Sequence, residues 1–410
     1  MKSWKKGSLH CHTLWSDGRS LPEMVLHTYK ELGYNFVSLT DHNIFQDDPA
    51  VWLQLAAEEG AWPSQLSVAE YERTCAALPG VVDYKDRGFR KFARLKTYEE
   101  LAAAFNEPDE FLLIPGEEVT CIDCSFGENS ERKYHLHLNL IDHKHRVDAI
   151  TEGSALEITQ KIMAQADVGA LTTLNHPYWL VWDVPPELLI ECKELKFFEI
   201  CNNGTTSAAD NWIFGREKFC DFVLAHRIKR GNGVIYLTAS DDAHYYNIER
   251  RKNMCAINTG YIMVNMQDDL SADSVKSAML AGDFYASTGV KLRDVAFDKK
   301  SKTLKVEVAP EKDTTYRIDF ITTGKDFDSS IEYAEYPHSN PKFSRRRPII
   351  REDVGVTAKS VEGVSGEYTM TGDDLYVRCV VTSSKENLLQ NPFYPRYQTA
   401  WSQPFENSQN

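Results

Sequence analysis

The sequence predicts an α/β protein with a barrel core, followed by an all-β C-terminal region, and three observations carry that expectation. Between residue 8 and about residue 245, short apolar runs alternate with amphipathic stretches. Such alternation implies parallel strands with helical crossovers. Histidines and carboxylates stand at or just after the apolar runs, where strand ends would gather them. From about Val290 onward the texture changes to period-two alternation broken by turn residues.

Seven strands are expected, at Ser8–His12, Phe36–Thr40, Phe111–Pro115, His135–Ile141, Ala170–Leu174, Phe197–Cys201 and Val234–Ala239. Helical patterns separate them at Leu21–Leu32, Tyr98–Phe105, Ala155–Ala166 and Asp210–Arg230, and another, N-capped by Ser271, covers Leu270–Ala281. Residues 44–110 are long for one connection, and their Ala, Glu and aromatic content reads as a helical insertion able to cap a site. Strands at Thr303–Val308, Tyr316–Thr322 and Leu375–Thr382 begin a sandwich-like β domain over 291–410, with the barrel domain spanning 1–290.

Composition bounds the function. The chain has 410 residues, 42% hydrophobic and 26% charged, as a soluble globular protein has. No apolar run reaches the roughly 18 residues of a membrane span. With 46 basic and 60 acidic residues the net charge is −14, which disfavours nucleic acid as a partner and favours a small-molecule substrate. Nine cysteines at irregular spacing read as reduced thiols in a cytoplasmic protein, a trimmed leader remaining compatible with that. Cys121 and Cys124 form one C-x-x-C with no second pair, and two ordinary thiols describe them best. The composition says nothing of oligomeric state.

The motifs speak most clearly. Ser8-Leu9-His10-Cys11-His12 is followed by Ser16-Asp17-Gly18, and an H-x-H on a strand would put both imidazoles on one face. Then come Thr40-Asp41-His42, Gly116-Glu117-Glu118, His135-Leu136-His137, Asn175-His176-Pro177 and Asp241-Asp242-Ala243-His244. Imidazoles and carboxylates repeated in this way are a metal-ligand pattern rather than a packing one. Glu117 should point away from Glu118, and His143 with His145 reads as a pair of surface histidines. Glu199 ends a strand, either supporting the site, contacting substrate or closing a turn. There is no G-x-S-x-G elbow, P-loop or H-E-x-x-H.

The ordered series H-x-H…S-D-G, T-D-H-N, P-G-x-E, H-x-N, N-H-P and D-D-A-H resembles the PHP (polymerase and histidinol phosphatase) superfamily over roughly residues 8–290. The resemblance implies a distorted (β/α)7 barrel holding two or three divalent metals, Zn, Mn or Fe. It implies that His10 and His12 bind a first metal with Asp242 and that Glu118 bridges to a second, completed by His137 and His176. Asp17, His42 and His244 would hold a third. Many members carry a histidine where Asp17 stands. Asp41 would orient His42 or a neighbouring ligand; Asp241 would do the same for Asp242 or itself be the ligand, the D-x-H spacing favouring Asp242; and Arg250 or Arg132 would clamp a phosphate. Metal-activated hydroxide would then attack a small phosphate mono- or diester. Two alternatives stay open: hydrolysis of a non-phosphate ester, carbamate or amide, and a non-catalytic metal-binding module.

Overall fold

The computed structural model describes residues 3–56, 65–124, 134–177, 184–204, 215–247, 255–267, 269–337, 340–341, 344–387 and 395–408. The chain opens with β1 (Trp4–Ser8), α1 (Pro22–Glu31) and β2 (Phe36–Ser38). The segment that follows holds β3 (Trp52–Ala56), β4 (Leu66–Ser67), α2 (Val68–Ala77), β5 (Tyr84–Arg87), β6 (Arg90–Arg94) and α3 (Tyr98–Phe105). Next come β7 (Leu112–Ile114), β8 (Gly116–Cys124), β9 (Tyr134–Ile141), α4 (Ala155–Met163) and β10 (Leu171–Leu174). They are followed by α5 (Pro186–Glu191), β11 (Phe197–Asn202), α6 (Gly215–Lys229), β12 (Tyr236–Ser240), β13 (Tyr261–Asn265), α7 (Ala272–Leu280) and β14 (Phe284–Ser287). Helix starts follow local chemistry. Thr97 with Glu100, and Ser154 with Glu157, close capping boxes on α3 and α4, and Ser271 caps α7 as its sequence suggests.

The expected closed barrel is replaced by two sheets. In one, β1, β2 and β7 run parallel, with β13 added antiparallel to β1 and β14 antiparallel to β13. The other has the order β12-β11-β10-β9-β8, and there β9 runs antiparallel to both its neighbours. Among the described residues only single bridges join the sheets, Cys11 to Ala243 and His42 to Glu118. Proline 115, which lacks an N–H, separates β7 from β8, so the chain passes from one sheet to the other without continuing the ladder. Gly116 then enters a slot where a β-carbon would lie 2.5 Å from Ser38 Oγ and 2.7 Å from Leu140 O. A side chain there would force the two sheets apart.

The segment 44–110, expected to be helical, is mixed. Its strands form a four-stranded sheet, β4-β3-β6-β5, beside α2 and α3. Alternation in Trp52–Ala56 is short and interrupted, which hid it behind the Ala and Glu content of its neighbours.

The C-terminal region contains β15 (Leu292–Asp298), β16 (Thr303–Val308), β17 (Tyr316–Thr322), β18 (Tyr333–Tyr336) and β19 (Arg345–Pro348). It ends with β20 (Val356–Glu362), β21 (Ser365–Thr369), β22 (Tyr376–Glu386), β23 (Tyr397–Ser402) and β24 (Phe405–Glu406). It continues the first sheet, because β23 pairs with β14 from Tyr285–Ser402 to Ser287–Ala400. One apolar core spans both parts: Trp401 and Tyr376 pack in the same cluster as Phe198, Phe219 and Leu237. At its edge Arg378, fully buried, donates to Asp221 through Nε at 2.7 Å and Nη2 at 2.6 Å, and Tyr376 donates to Asp221 at 2.7 Å. Asp221 on α6 thus ties β22 to the helical layer.

A buried pair that loses one partner strands the other charge in a low dielectric. Asp221→Ala should cost about 3–5 kcal/mol in urea unfolding, whereas an exposed pair would cost under about 1 kcal/mol. Asp221→Ala with Arg378→Met should recover part of the loss. A single-variant loss in the exposed-pair range would contradict this tie.

Candidate metal centre

The first strand ends at Ser8, so His10 and His12 lie beyond the sheet rather than on one strand face as the H-x-H spacing suggests. They are held by backbone instead. Thr40 N donates to Cys11 O at 2.9 Å, and His12 N to Ala243 O at 2.9 Å. The loop carrying Asp17 folds back on this segment: at Gly18 a β-carbon would stand 2.4 Å from His12 O. Asp41, expected to orient His42, fixes this loop. It accepts from Thr13 N at 2.7 Å, Thr13 Oγ1 at 2.8 Å and Ser16 Oγ at 2.6 Å. Asp241, expected to support Asp242, turns the other way, taking Tyr29 OH at 3.0 Å and Asn258 N at 2.7 Å. Burial pushes its carboxyl up to about 7.

Glu118 is the hub. Its carboxylate lies 3.3 Å from His10 Nε2, 3.4 Å from His12 Nε2, 2.8 Å from His42 Nδ1, 3.0 Å from His137 Nδ1 and 3.7 Å from His176 Nε2. Asp242 Oδ1 stands 3.2 Å from His10 Nε2 and 3.0 Å from His12 Nε2. Asp17 faces His244 Nε2 at 3.0 Å, with His12 Nδ1 and His42 Nε2 each at 3.6 Å. Among the described residues, four of the five groupings of ligand-type atoms lie here: His12, Asp17, His42 and His244; His10, His12 and Glu118; His10, His176 and Asp242; and His42, Glu118 and His137, the fifth being His143, His145 and Asp167. All nine residues expected as ligands thus lie in one connected cluster. The pairing differs from the expected scheme: His176 groups with His10 and Asp242 rather than with His137, His42 joins Glu118 and His137, and His10 and His12 share a grouping with Glu118.

The donor set fits divalent cations. His10 Nε2, His12 Nδ1 and Glu118 Oε2 are buried and make no hydrogen bond, although basic atoms crowd them at the distances above. Lone pairs that converge without a shared proton are satisfied by a cation between them. Burial works against charge throughout, yet the surrounding His42 and His10 hold Glu118 well below the usual carboxylate range. Asp242 is likewise held low, chiefly by His10. Burial lowers His137 to about 4, a neutral imidazole suited to coordination. The backbone is strained at two of these residues, His176 at φ +26° and Asp242 at φ +47°. Such strain persists where a site over-determines it.

The supporting residues were harder to foresee. Glu199, left open between a support and a turn, accepts from His10 Nδ1 at 2.8 Å, His176 N at 2.8 Å, Asn202 Nδ2 at 2.7 Å and Ser240 Oγ at 2.5 Å. Holding the His10 Nδ1 proton leaves Nε2 as the ligand atom. Asn175 donates to Glu118 at 2.7 Å, and Thr120 Oγ1 lies 2.6 Å from His42 Nδ1. Asn175 was visible beside His176; nothing in the sequence marks Thr120. Glu117 does turn away, accepting from Val147 N at 2.7 Å, and burial pushes it up to about 7. His143 is not a surface residue: it is buried beside exposed His145, and both ring Nδ1 atoms lie 3.4 Å from Asp167. His135 joins none of the ligand groupings. Arg132 and Arg250 lie outside the described residues.

Glu199→Gln keeps shape but weakens the orienting bonds. It should lower the affinity for Mn or Zn by about 10–100-fold while leaving the fold intact by circular dichroism. Unchanged affinity by competitive titration would show that Glu199 only closes a turn.

No protein-family model and no curated protein matches this chain. Among solved structures, it is similar to a two-domain protein from Bacteroides vulgatus containing a predicted PHP-like metal-dependent phosphoesterase, at 14% identity and TM-score 0.40, covering 97% of this chain and 95% of that one. It is also similar to an amidohydrolase from Chromobacterium violaceum, solved with bound sulfate, at 13% identity and TM-score 0.30, covering 58% of this chain and 87% of that one. Similarity at this level transfers no residue roles. In the order of its motifs and in the histidine-rich clusters that the fold assembles from them, the chain resembles PHP-like metal-dependent phosphoesterases.

Proposed function

We propose that this chain is a metal-dependent hydrolase of a small phosphate ester. The observation that carries the reading is the convergence of nine ligand-type side chains, from segments spread over residues 10–244, on one cluster around buried Glu118, six of them buried and Asp17, His42 and His244 partly so. Structural histidines are normally satisfied by hydrogen bonds, whereas several of these ring nitrogens face carboxylates and each other. His10, His176 and Asp242 would hold one cation, and Glu118, which groups with His10 and His12 as well as with His42 and His137, would be shared between it and a second. Asp17, His42 and His244 would hold a third, close to His12.

Divalent ions held there supply Lewis acidity toward a phosphoryl oxygen and acidify water near neutral pH. The chain's own part is to aim and neutralise. Glu199 fixes the tautomer of His10, Asn175 orients Glu118, and Asp41 clamps the Thr13–Ser16 turn so that Asp17 reaches His244. The net charge of −14 supports a small molecule over a polynucleotide as substrate. The same geometry would serve attack on a carbonyl, so ester chemistry must be tested directly.

The test is hydrolysis of p-nitrophenyl phosphate, bis-p-nitrophenyl phosphate and p-nitrophenyl acetate with Mn or Zn, His10→Ala serving as control. Metal-dependent phosphate turnover that drops at least about 100-fold in His10→Ala is expected. Turnover of the acetate alone would move the function to carbonyl hydrolysis. Full metal loading with no turnover of any of them, nor of natural small phosphate esters, would leave a non-catalytic module.

A further inference from the structure

We propose that His143, His145 and Asp167 form a separate site for one zinc-type divalent cation, which clips two loops together at the end of β10 opposite His176. The β9–α4 loop supplies the two imidazoles and the α4–β10 loop supplies the carboxylate. Asp167 precedes β10 and His176 follows it, so this site is no part of the Glu118 cluster and does not rest on the hydrolase reading. The three residues offer ligand-type atoms within 4.8 Å of one another.

The hydrogen bonds fix which ring atoms are basic. His145 Nε2 lies 3.1 Å from Gln165 O, and a carbonyl can only accept, so in the neutral ring Nε2 carries the proton and Nδ1 the lone pair. Asp167 N–H donates to His143 Nδ1 at 3.1 Å, so that atom too carries a lone pair. Each Nδ1 stands 3.4 Å from a different oxygen of the Asp167 carboxylate, His143 from Oδ2 and His145 from Oδ1. Two lone pairs thus face a carboxylate with no proton between them. That spacing is long for a hydrogen bond, but it matches the roughly 3.3–3.4 Å between neighbouring ligand atoms around a tetrahedral zinc ion. Lys144 N–H holds Asp167 Oδ2 at 2.8 Å, and this bond keeps the carboxyl below its usual range. Burial lowers His143 and so keeps its ring neutral. On the far side of that ring Nε2 is buried and makes no hydrogen bond, so none resists a small turn of the ring toward a cation. The cation must displace the Asp167 N–H from the His143 lone pair, which sets its affinity below that of a site with more ligands. Two imidazoles and one carboxylate suit Zn rather than Mg or Ca. The clipped loop backs the strand break at Pro115, because Asp142 N and His143 N both donate to Pro115 O, at 2.7 and 3.3 Å.

The experiment dialyses the metal-free full chain to equilibrium against buffered Zn(II). At about 10 µM free Zn(II) the parent should hold one equivalent more than His145→Ala, whose half-exposed side chain can go without harm to the core. Glu118→Ala should keep this equivalent, and Glu118→Ala with His145→Ala should lose it. Zinc-edge anomalous diffraction should place the ion about 2.0–2.2 Å from His143, His145 and Asp167. In the Glu118→Ala background Zn(II) should raise Tm only while His145 is present. Equal zinc counts in the parent and His145→Ala would overturn the site. So would an equivalent that loads only above about 1 mM free Zn(II), which is an adventitious ion only. A Tm rise that is the same with and without His145 would overturn the clip.

Discussion

A buried carboxylate surrounded by imidazoles sets the terms for the rest of this molecule. Glu118 has no exposure to water, and five histidines stand within 3.7 Å of it. An isolated charge in that setting would be prohibitive, so it must be shared with protons or with cations. Proton sharing satisfies only some of the atoms, because His10 Nε2, His12 Nδ1 and Glu118 Oε2 remain without hydrogen bonds. Divalent cations would satisfy them together. The order in the surrounding loops follows from this need: Asp41, Glu199 and Asn175 spend their hydrogen bonds on holding the donors in place.

The sheet arrangement serves the same end. A fully closed ladder would commit the backbone of every strand end to pairing. Here the sheets touch through single bridges at Cys11 and His42, each next to or at a ligand-type residue. The break at Pro115 and the slot that only Gly116 can fill bring β8, and with it Glu118, up against the ends of β1 and β2. On the outer side the C-terminal strands extend the first sheet through β14 and β23, and Asp221 with Arg378 locks α6 to them. Rigid surroundings of this kind hold ligand positions that the strained backbone at His176 and Asp242 would otherwise abandon.

Much of this was legible in the sequence. The alternation of apolar runs and amphipathic stretches located all seven expected strands to within a few residues, except that β1 lies upstream of the H-x-H. The nine ligand-type residues stood out because histidine and carboxylate pairs at strand ends have few structural uses. Strand direction was not legible. The reversal at β9 depends on how β8 folds back, and β8 carries the C-x-x-C and a bulge that mask its pattern. The sheet in 44–110 was hidden by composition, and Asp241 was misplaced because adjacent carboxylates look equivalent until one turns toward Tyr29.

The account turns on the proposal that Glu118 would be shared between two cations. Electron paramagnetic resonance of the chain loaded with Mn(II), combined with metal quantitation, tests it most directly. At least two ions per chain with spin coupling between them are expected, and Glu118→Ala should abolish the coupling and lower the metal content. A single uncoupled ion in the parent, or coupling that survives Glu118→Ala, would contradict the account.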